Sequence, residues 1–352
     1  MTLCRHGIYL LLALALAGGP VCAGATSLDG PLSDLQSQLS SIALHAPGRV
    51  GIEVEDLATG ATSGYNDDVS LPAASTIKIP VMIEVFKQME AGDLDLGTVV
   101  HLESRDRDWG WGDMADARPG IGKTVKQLLW LMITESDNTA TNMLIRKVGR
   151  QHINQTMYEL GLHKTHLGDY IRSETDTIRY ALRTSPHDML TLLDSIARDE
   201  MIDQWSSREM LSILEGQTHN GLLPSPLPKD VKIAHKTGSL HDTLNDVGIV
   251  YQDEEPYVIA VMTTQLPDLD LGRAFIHKVS RITYDALGRF ATWREEEGIA
   301  AFSSSDPTSD PNDSTTQWPP AASAIPAPDM KMWDSAPANA PLTPVDPAHA
   351  DD

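Results

Sequence analysis

Two serines and two lysines lie in three short motifs that together predict nucleophilic chemistry. The first motif is S-x-x-K, from Ser75 to Lys78, the second is S-D-N, which begins at Ser136, and the third is K-T-G, which begins at Lys236. A serine hydroxyl is a weak nucleophile near neutral pH and needs a neighbouring base. Each motif alone would be weak evidence, but the ordered set predicts a serine that attacks a carbonyl carbon and becomes acylated.

Ser75 is the predicted nucleophile, and Lys78 is its predicted base. Apolar residues at helical spacing follow Ser75 as far as Gly92, so we expect a helix that begins near the serine and presents Lys78 on the same face. Lys78 can accept a proton only when it is neutral. Burial beside a second cation, Lys236, would lower its pKa. Pro80 is compatible with this helix only within the first turns.

The remaining motif residues are predicted to relay protons or to bind the substrate. Ser136 is expected to pass a proton to the leaving amine, and Asn138 to bind an amide group of the substrate. Asp137 is expected to be structural, because a carboxylate there can accept backbone N–H bonds. The predicted oxyanion hole consists of the backbone N–H groups of Ser75 and Ser239. The other predicted substrate-binding residues follow the third motif: Lys236, Thr237, Gly238 and Ser239.

This set of motifs resembles that of the class A β-lactamases and penicillin-binding proteins. The resemblance runs from about Gly48 to about Arg289. The segment Leu244–Val250 is similar to the strand after K-T-G, and Thr184–Met189 is similar to the segment that closes the omega loop of the family. Trp109 lies where the family often has an aromatic residue at the rim of the cleft. The resemblance implies a β-lactamase-like fold and an acyl-transfer activity on β-lactams.

The chain departs from the family pattern in the omega loop. Class A β-lactamases have E-x-x-x-N in this loop, and the Glu holds the water that hydrolyses the acyl-enzyme. An alignment on Gly161 and Leu167 puts Ile171 at the position of that Glu, and the nearest acid is Glu174, which has no Asn four residues later. Glu174 is therefore either a displaced deacylating base or a solvated loop acid. The second alternative predicts slow deacylation.

Alternating and helical stretches predict an α/β (α+β) fold. The resemblance implies an antiparallel sheet that is flanked by helices and built from both chain ends. The predicted strands are Arg49–Asp56, a second strand after the turn at 57–60, and 231–236, 245–251 and 257–264, and a long helix is predicted at Leu271–Glu296. The chain from Ser75 to about Gly221 has a mostly helical pattern.

The predicted hydrolase domain covers residues 28–302. Its α/β part comprises about 28–70 and 225–300, and an all-helical part comprises about 71–224. The helical part carries Ser75 and Ser136, so the cleft is expected between the two parts, with Lys236 on the facing strand edge. Residues 303–352 are rich in Pro, Ala, Ser, Thr and Asp, and such a composition predicts a disordered tail.

The first 23 residues have the pattern of a secretory signal peptide. A basic start precedes an apolar run over residues 8–17, and Val21–Ala23 form a small-residue cleavage site. The apolar run is too short to span a membrane. Cleavage after Ala23 would remove both cysteines, Cys4 and Cys22, and would place the mature protein in the periplasm or the medium.

Charge and histidine spacing exclude several other classes of function. The formal net charge of −22 disfavours binding to nucleic acid or to an anionic membrane. The 12 histidines include no H-x-x-x-H or H-E-x-x-H motif, so we predict no metal and no cofactor. The three histidines nearest the third motif are predicted to be structural or rim residues: His219, His235 and His241.

Three functions remain open at this point. The leading hypothesis is a monomeric secreted serine hydrolase that hydrolyses β-lactams. The second is a D,D-peptidase-like enzyme that acts on D-Ala-D-Ala-type cell-wall peptides through the same acylation step. The third is a binder or sensor that stays acylated and does not turn over. Turnover of a chromogenic β-lactam separates the first hypothesis from the other two.

Overall fold

The structure is a computed structural model, and it describes residues 30–175, 177–252 and 255–297. The predicted signal peptide (1–23) and tail (303–352) lie outside the described residues. The strands are β1 Arg49–Asp56, β2 Ala61–Tyr65, β3 Leu71–Pro72, β4 Val99–His101, β5 Gly122–Thr124, β6 His166–Leu167, β7 Leu182–Thr184, β8 Lys232–Leu240, β9 Thr243–Tyr251 and β10 Tyr257–Thr264. The helices are α1 Pro31–Ala43, α2 Lys78–Glu90, α3 Val125–Thr134, α4 Asn138–Val148, α5 Arg150–Glu159, α6 Ile178–Ala181, α7 Pro186–Ala197, α8 Gln204–Glu215 and α9 Leu269–Glu296.

An antiparallel five-stranded sheet joins the two ends of the described chain. Its strand order is β2-β1-β10-β9-β8, so β1 from the N-terminal region pairs with β10 from the C-terminal region. β8 lies at one edge and pairs with β9 in a register that sets Gly238 opposite Asn245. The predicted strands are present, and β8 continues through the K-T-G motif to Leu240 instead of ending at Lys236. The third motif therefore lies on an edge strand, as predicted.

Both faces of this sheet are covered by helices. Helices α1 and α9 pack together on one face, where their apolar side chains join those of β1 and β10 in one core cluster. On the other face, α7 packs on β1, β9 and β10. Every residue of β10 is buried as a result. A strand that is buried on both faces has a continuous apolar sequence, which is what β10 shows.

The insert between β2 and β8 is mainly helical, but it is not all-helical as predicted. It contains a two-stranded sheet of β4 and β5 and a three-stranded sheet in the order β3-β7-β6. These strands are two or three residues long. Alternation of apolar and polar residues cannot be recognised in so short a segment, so the sequence pattern did not reveal them.

The predicted helix after Ser75 has two parts. A 3-10 turn spans Ala74–Ile77, and α2 begins at Lys78. Pro80 is the third residue of α2, where its missing N–H and fixed φ are tolerated. The helix ends at Glu90, and Gly92 follows with a φ of +80°, which favours glycine. Among the described residues, no helix is long and apolar enough to cross a membrane.

Candidate active site

Two strained backbone positions lie in the motifs of the candidate site. Ala74, directly before Ser75, has a φ of +49°, and Ser136 has a φ of +56°. A left-handed conformation is unfavourable for a residue with a side chain and persists only where the surrounding structure enforces it. Such positions are concentrated at functional sites. Here they mark the S-x-x-K and S-D-N motifs.

The edge of the sheet holds the turn that carries Ser75. Asn245 on β9 donates from its Nδ2 to the carbonyl oxygens of Pro72, at 2.9 Å, and Ala73, at 3.1 Å. Its Oδ1 accepts the backbone N–H of Thr263 at 3.0 Å. This function of Asn245 was not predicted from the sequence. The adjacent polar residues Asn245 and Asp246 in a largely apolar strand are unusual, but they do not indicate which segments they contact.

Gly238 lets the K-T-G strand approach this turn closely. A Cβ atom at Gly238 would lie 3.0 Å from the carbonyl oxygen of Ala73 and 3.1 Å from the backbone nitrogen of Ser75. Both neighbours are backbone atoms, which cannot move aside without moving the nucleophile. The third motif therefore needs its glycine, and the backbone of Ser75 lies directly beside β8. This is the arrangement that the predicted oxyanion hole of Ser75 and Ser239 requires.

The side chain of Lys78 is completely buried and contacts the S-D-N motif. Its Nζ donates to the carbonyl oxygen of Ser136 at 2.5 Å and to the Oδ1 of Asn138 at 2.8 Å, and it lies 3.1 Å from the Oγ of Ser136. Lys78 follows Ser75 by three residues through a 3-10 turn, and such a turn aligns side chains at i and i+3. The structure thus brings the first two motifs together as the sequence predicted.

Ser136 connects the two lysines. The Nζ of Lys236 donates to the Oγ of Ser136 at 3.0 Å and to the carbonyl oxygen of Thr237 at 3.0 Å. A hydroxyl group can accept one hydrogen bond and donate another. With Lys236 charged and Lys78 neutral, the Ser136 hydroxyl accepts from Lys236 and donates to the lone pair of Lys78. This arrangement is suited to moving a proton between the two lysines.

Burial shifts the pKa of both lysines downward. The pKa of Lys78 lies well below its ordinary value, first because of burial and second because of the positive charge of Lys236, while the charges of Asp137 and Asp108 oppose the shift. Burial lowers the pKa of Lys236 to about 7, and the charge of Asp246 opposes this shift. A buried lysine with a depressed pKa is a suitable general base near neutral pH.

Asp137 has the structural function predicted for it. It is the N-cap residue of α4, and its Oδ1 accepts the backbone N–H of Ala140 at 2.7 Å. Its Oδ2 accepts the backbone N–H of Met114 at 2.9 Å. The carboxylate therefore connects the start of α4 to the loop that carries Trp109 and Trp111.

The amide group of Asn138 has a partner on each side. Its Oδ1 accepts from Lys78, and its Nδ2 donates to the Oδ1 of Asp108 at 2.8 Å. Asp108 is fully buried, with 0% of its surface exposed. Asp108 was not predicted from the sequence, because nothing in the local pattern distinguishes it from an ordinary loop acid.

A buried histidine and aspartate lie behind Lys236. The Nδ1 of His235 is 2.9 Å from the Oδ1 of Asp246, and its Nε2 is 3.0 Å from the Oδ1 of Asn220. The Oδ2 of Asp246 accepts the backbone N–H of Leu223 at 2.9 Å. His235 is thus structural, as predicted, and it connects β8 to β9 and to the segment before β8.

Ile171 and Glu174, the two omega-loop residues that were compared with the family Glu, differ in their environment. Ile171 has 3% of its surface exposed and is part of the large hydrophobic cluster of the insert, whereas Glu174 is exposed. The backbone of Ile171 is held by Asn142, whose Oδ1 accepts its N–H at 2.8 Å and whose Nδ2 donates to its carbonyl oxygen at 3.1 Å. The position aligned with the family Glu therefore has an apolar side chain that packs in the core.

Two tryptophans are exposed on the loop before β5. Trp109 has 63% of its surface exposed, and Trp111 has 53%. The indole of Trp111 contacts the ring of His219 edge-on, and its Nε1 is 3.3 Å from the His219 Nε2. The backbone carbonyl of Trp111 accepts the N–H of Asn138 at 3.0 Å, so this loop borders the S-D-N motif. Trp109 was predicted at the rim, and Trp111 was missed.

No cluster of three or more potential metal ligands occurs within residues 30–175, 177–252 and 255–297. His241, the last of the three histidines considered from sequence, is exposed and lies 3.8 Å from Asp242.

Comparisons with known proteins agree with this geometry. A model of the beta-lactamase enzyme family matches residues 34–287. A beta-lactamase from Bacteroides uniformis is 26% identical over 274 residues, which cover 73% of this chain and 92% of that protein.

Two solved structures are similar to this chain over nearly the whole length of their own chains. PBP-A is 32% identical over 73% of this chain and 97% of its own, with a TM-score of 0.69, and a substituted form of it is an acyl-enzyme complex with penicillin G. An ancestral class A beta-lactamase is 26% identical over 72% of this chain and 99% of its own, with a TM-score of 0.66. The α/β fold predicted from sequence is thereby confirmed. With the family match over residues 34–287, these similarities establish that the chain belongs to the beta-lactamase enzyme family and is a serine hydrolase with the class A fold.

Proposed function

We propose that this chain reacts with β-lactams through an acyl-enzyme on Ser75. The observation that carries the proposal is the contact of the Ser136 hydroxyl with both Lys78 and Lys236, next to the turn that presents Ser75. This arrangement provides a base, a proton relay and a cation in one cleft. A substituted form of the similar protein PBP-A is an acyl-enzyme complex with penicillin G, which supports the same chemistry.

Acylation would proceed with Lys78 as the base. The Oγ of Ser75 attacks the β-lactam carbonyl carbon while its proton moves to the Nζ of Lys78. The C–N bond of the ring then breaks, and the ring nitrogen takes a proton through the Oγ of Ser136. The backbone N–H groups of Ser75 and Ser239 would stabilise the negative charge on the carbonyl oxygen.

Substrate binding would use the charge of Lys236 and the amide of Asn138. Lys236 is completely buried at the cleft edge, so a substrate carboxylate beside it would meet a cation that is weakly screened by water. Thr237 and Gly238 would bind the same part of the substrate from β8. Trp109, which is exposed on the rim loop, would contact the substrate side chain.

Deacylation would be the slow step. Ile171 packs in the core at the position where the family has its hydrolytic Glu, and Glu174 is exposed. A well-placed general base accelerates a reaction by about 10²–10⁴-fold. Its absence would leave acylation intact and slow the hydrolysis of the ester between Ser75 and the substrate.

A D,D-peptidase-like activity on D-Ala-D-Ala-type peptides is the second candidate. The environment of Ile171 and Glu174 favours it, because an acyl-enzyme that is not built for fast hydrolysis can react with another acceptor. A sensor that stays acylated would have the same first step and no turnover.

The test combines intact mass with turnover. The protein is incubated with penicillin G and its mass is measured, and hydrolysis of a chromogenic cephalosporin is followed in parallel. An adduct on the wild type that is absent from Ser75→Ala supports the proposal, and turnover identifies a β-lactamase. D-Ala release from a muropeptide identifies the second candidate. A wild type that forms no adduct and shows no turnover would overturn the proposal.

We also propose that the protein is exported and acts as a monomer in the periplasm or the medium. The apolar run over residues 8–17 and the small-residue site Val21–Ala23 support export. Cell-wall peptides are found outside the cytoplasm, so export agrees with both candidate substrates.

A further inference from the structure

The buried carboxylate of Asp108 connects three segments at the active site. Its Oδ1 accepts the Nδ2 of Asn138 at 2.8 Å, the Oγ of Ser173 at 2.7 Å and the backbone N–H of Gly110 at 3.0 Å. Its Oδ2 accepts the backbone N–H of Ser173 at 2.7 Å. The three segments are the loop before β5, the S-D-N motif and the loop that contains Ile171. Removing a buried acceptor of this kind leaves its donors unsatisfied.

Asp108 determines which way the amide of Asn138 faces. A carboxylate accepts hydrogen bonds and cannot donate them, so the Nδ2 of Asn138 must face Asp108. The Oδ1 must then face Lys78, from which it accepts at 2.8 Å. With one N–H of a neutral Lys78 bound to Asn138 and the other to the carbonyl oxygen of Ser136, the lone pair is left facing the Oγ of Ser136, which lies 3.1 Å away. The orientation of the base thus depends on a carboxylate that it does not contact.

Asp108 also attaches the loop of Ile171 to the active site. Both hydrogen bonds of Ser173 end on this carboxylate, although Ser173 itself is exposed. The approach is close, because a Cβ atom at Gly110 would lie 2.0 Å from the Oγ of Ser173. The two loops are therefore packed directly against each other around Asp108.

We infer that Asp108 is a positioning residue for acylation, which orients the amide of Asn138 toward Lys78 and attaches the segment 171–175 to the S-D-N motif. This inference rests on the proposed function of Ser75 and Lys78. Asp108 has no exposed surface, so it acts through Asn138 and Ser173 and does not touch the substrate. The segment 171–175 has Ile171 at the position of the family Glu. The loop before β5 supplies the Asp108 carboxylate beside this segment.

The first experiment compares Asp108→Asn and Asp108→Ala with the wild type. The second-order rate constant for acylation is measured by competition with a fluorescent penicillin. We expect a loss of about tenfold to 10²-fold, which is typical of a misplaced catalytic group. The loss should be larger in Asp108→Ala, because an Asn at position 108 can still accept from Asn138 through its one carbonyl oxygen. An acylation rate equal to that of the wild type in both variants would overturn the inference.

Asp106→Asn is the matched control. Asp106 is also fully buried and lies on the same loop, but its carboxylate binds Arg146 and the backbone N–H of Glu103 and does not contact Asn138. We expect this variant to lower the melting temperature and to leave the acylation rate constant unchanged. An equal loss of acylation in Asp106→Asn would show that Asp108 only stabilises the loop.

The pH profile of acylation provides a readout that a merely structural residue would not affect. The charge of Asp108 raises the pKa of Lys78, against the larger effects of burial and Lys236. Neutralising Asp108 should therefore lower the pKa of Lys78 further and move the acid limb of the profile to lower pH. The acid limb of Asp106→Asn should stay at the wild-type pH. An unmoved limb in Asp108→Asn would contradict the inferred electrostatic contact.

A double-mutant cycle tests the connection to Asn138. If Asp108 acts through this amide, Asp108→Ala in an Asn138→Ala background should cost little further acylation rate, whereas independent residues would give additive losses. Additive losses in the cycle would overturn the assignment.

Hydrogen exchange separates a failure of this inference from a failure of the proposed function. The backbone N–H of Ser173 should exchange faster in Asp108→Ala than in Asp106→Asn, because its acceptor is the Asp108 carboxylate. If the wild type neither forms an adduct with penicillin nor hydrolyses it, the proposed function is wrong, and exchange at Ser173 still decides whether Asp108 holds this segment. Equal exchange in the two variants would refute that part of the inference.

Discussion

Lys78 and Lys236 share one hydrogen-bonding partner. Their Nζ atoms lie 3.1 and 3.0 Å from the same oxygen, the Oγ of Ser136. Two ammonium groups so close together would repel each other, and both are completely buried. The pair therefore favours the state in which one lysine is charged and the other is neutral. Several predictions about rate and stability depend on this state.

The alkaline limb of acylation should reflect Lys236. Its pKa is lowered to about 7, and a substrate carboxylate binds the charged form, so kcat/KM should fall as the pH rises above about 7. An Arg keeps its charge at every accessible pH. Lys236→Arg should therefore move the alkaline limb to higher pH, as measured by the pH dependence of acylation. An alkaline limb at the same pH in both proteins would show that another group titrates.

Lys78→Ala and Lys236→Ala should impair different steps. Loss of a general base costs about 10²–10⁴-fold, so Lys78→Ala should slow acylation by that order. Lys236→Ala should mainly weaken the apparent affinity for a carboxylate-bearing penicillin. Stopped-flow acylation over a range of penicillin concentrations separates the two effects. Weaker binding with an unchanged maximal acylation rate in Lys78→Ala would contradict this division.

Replacing Lys236 should stabilise the protein below neutral pH. Its pKa is about 7 when folded, against an ordinary value of 10.5, so the folded chain binds fewer protons between these values. Burial of Lys236 therefore lowers the free energy of unfolding. This effect is largest below pH 7 and decreases as the pH rises from about 7 toward 10.5. The gain in melting temperature of Lys236→Met should follow the same trend. The exposed Lys229→Met is the control and should show no such trend. A gain that is constant with pH would refute the explanation.

Deacylation should not depend on Glu174. This residue is exposed, so we expect a burst of product with penicillins, followed by a slow steady state, and no further loss in Glu174→Gln. Rapid-quench measurements of both phases provide the test. A fast steady state without a burst in the wild type, abolished in Glu174→Gln, would instead identify Glu174 as the deacylating base.

Export should remove the first 23 residues. The pattern at Val21–Ala23 predicts cleavage after Ala23, which leaves no thiol in the mature chain. N-terminal sequencing and thiol titration of the exported protein measure both properties. A mature chain that begins at Cys22 and carries a lipid would show a lipoprotein instead.

The sequence contains the motifs and predicted the strands of the five-stranded sheet and the long helix, because these depend on local patterns. β1 and β10 have the predicted bounds, and Lys78 lies one turn from Ser75. Apolar periodicity and short motifs are local properties of a chain, so they can be recognised without knowing which segments meet in space.

The supporting residues could not be predicted in this way. Asp108 and Asn245 matter because of partners more than 25 residues away in the chain: Asn138 and Ser173 for Asp108, and Pro72 and Ala73 for Asn245. Nothing in the residues that surround them records these contacts. Whether Glu174 or Ile171 faces the cleft was open for the same reason, since the fold of a loop depends on what packs against it.

The pairing of β1 with β10 has a consequence for how activity arises during folding. β1 ends at Asp56 and β10 begins at Tyr257, so most of the described chain lies between them, and closing so large a loop is slow. The turn of Ser75 depends on Asn245 of β9, which belongs to the same late-synthesised part of the sheet. An incomplete chain therefore lacks the support of its nucleophile, and we expect reactivity toward penicillin to appear only when the C-terminal strands have joined the sheet.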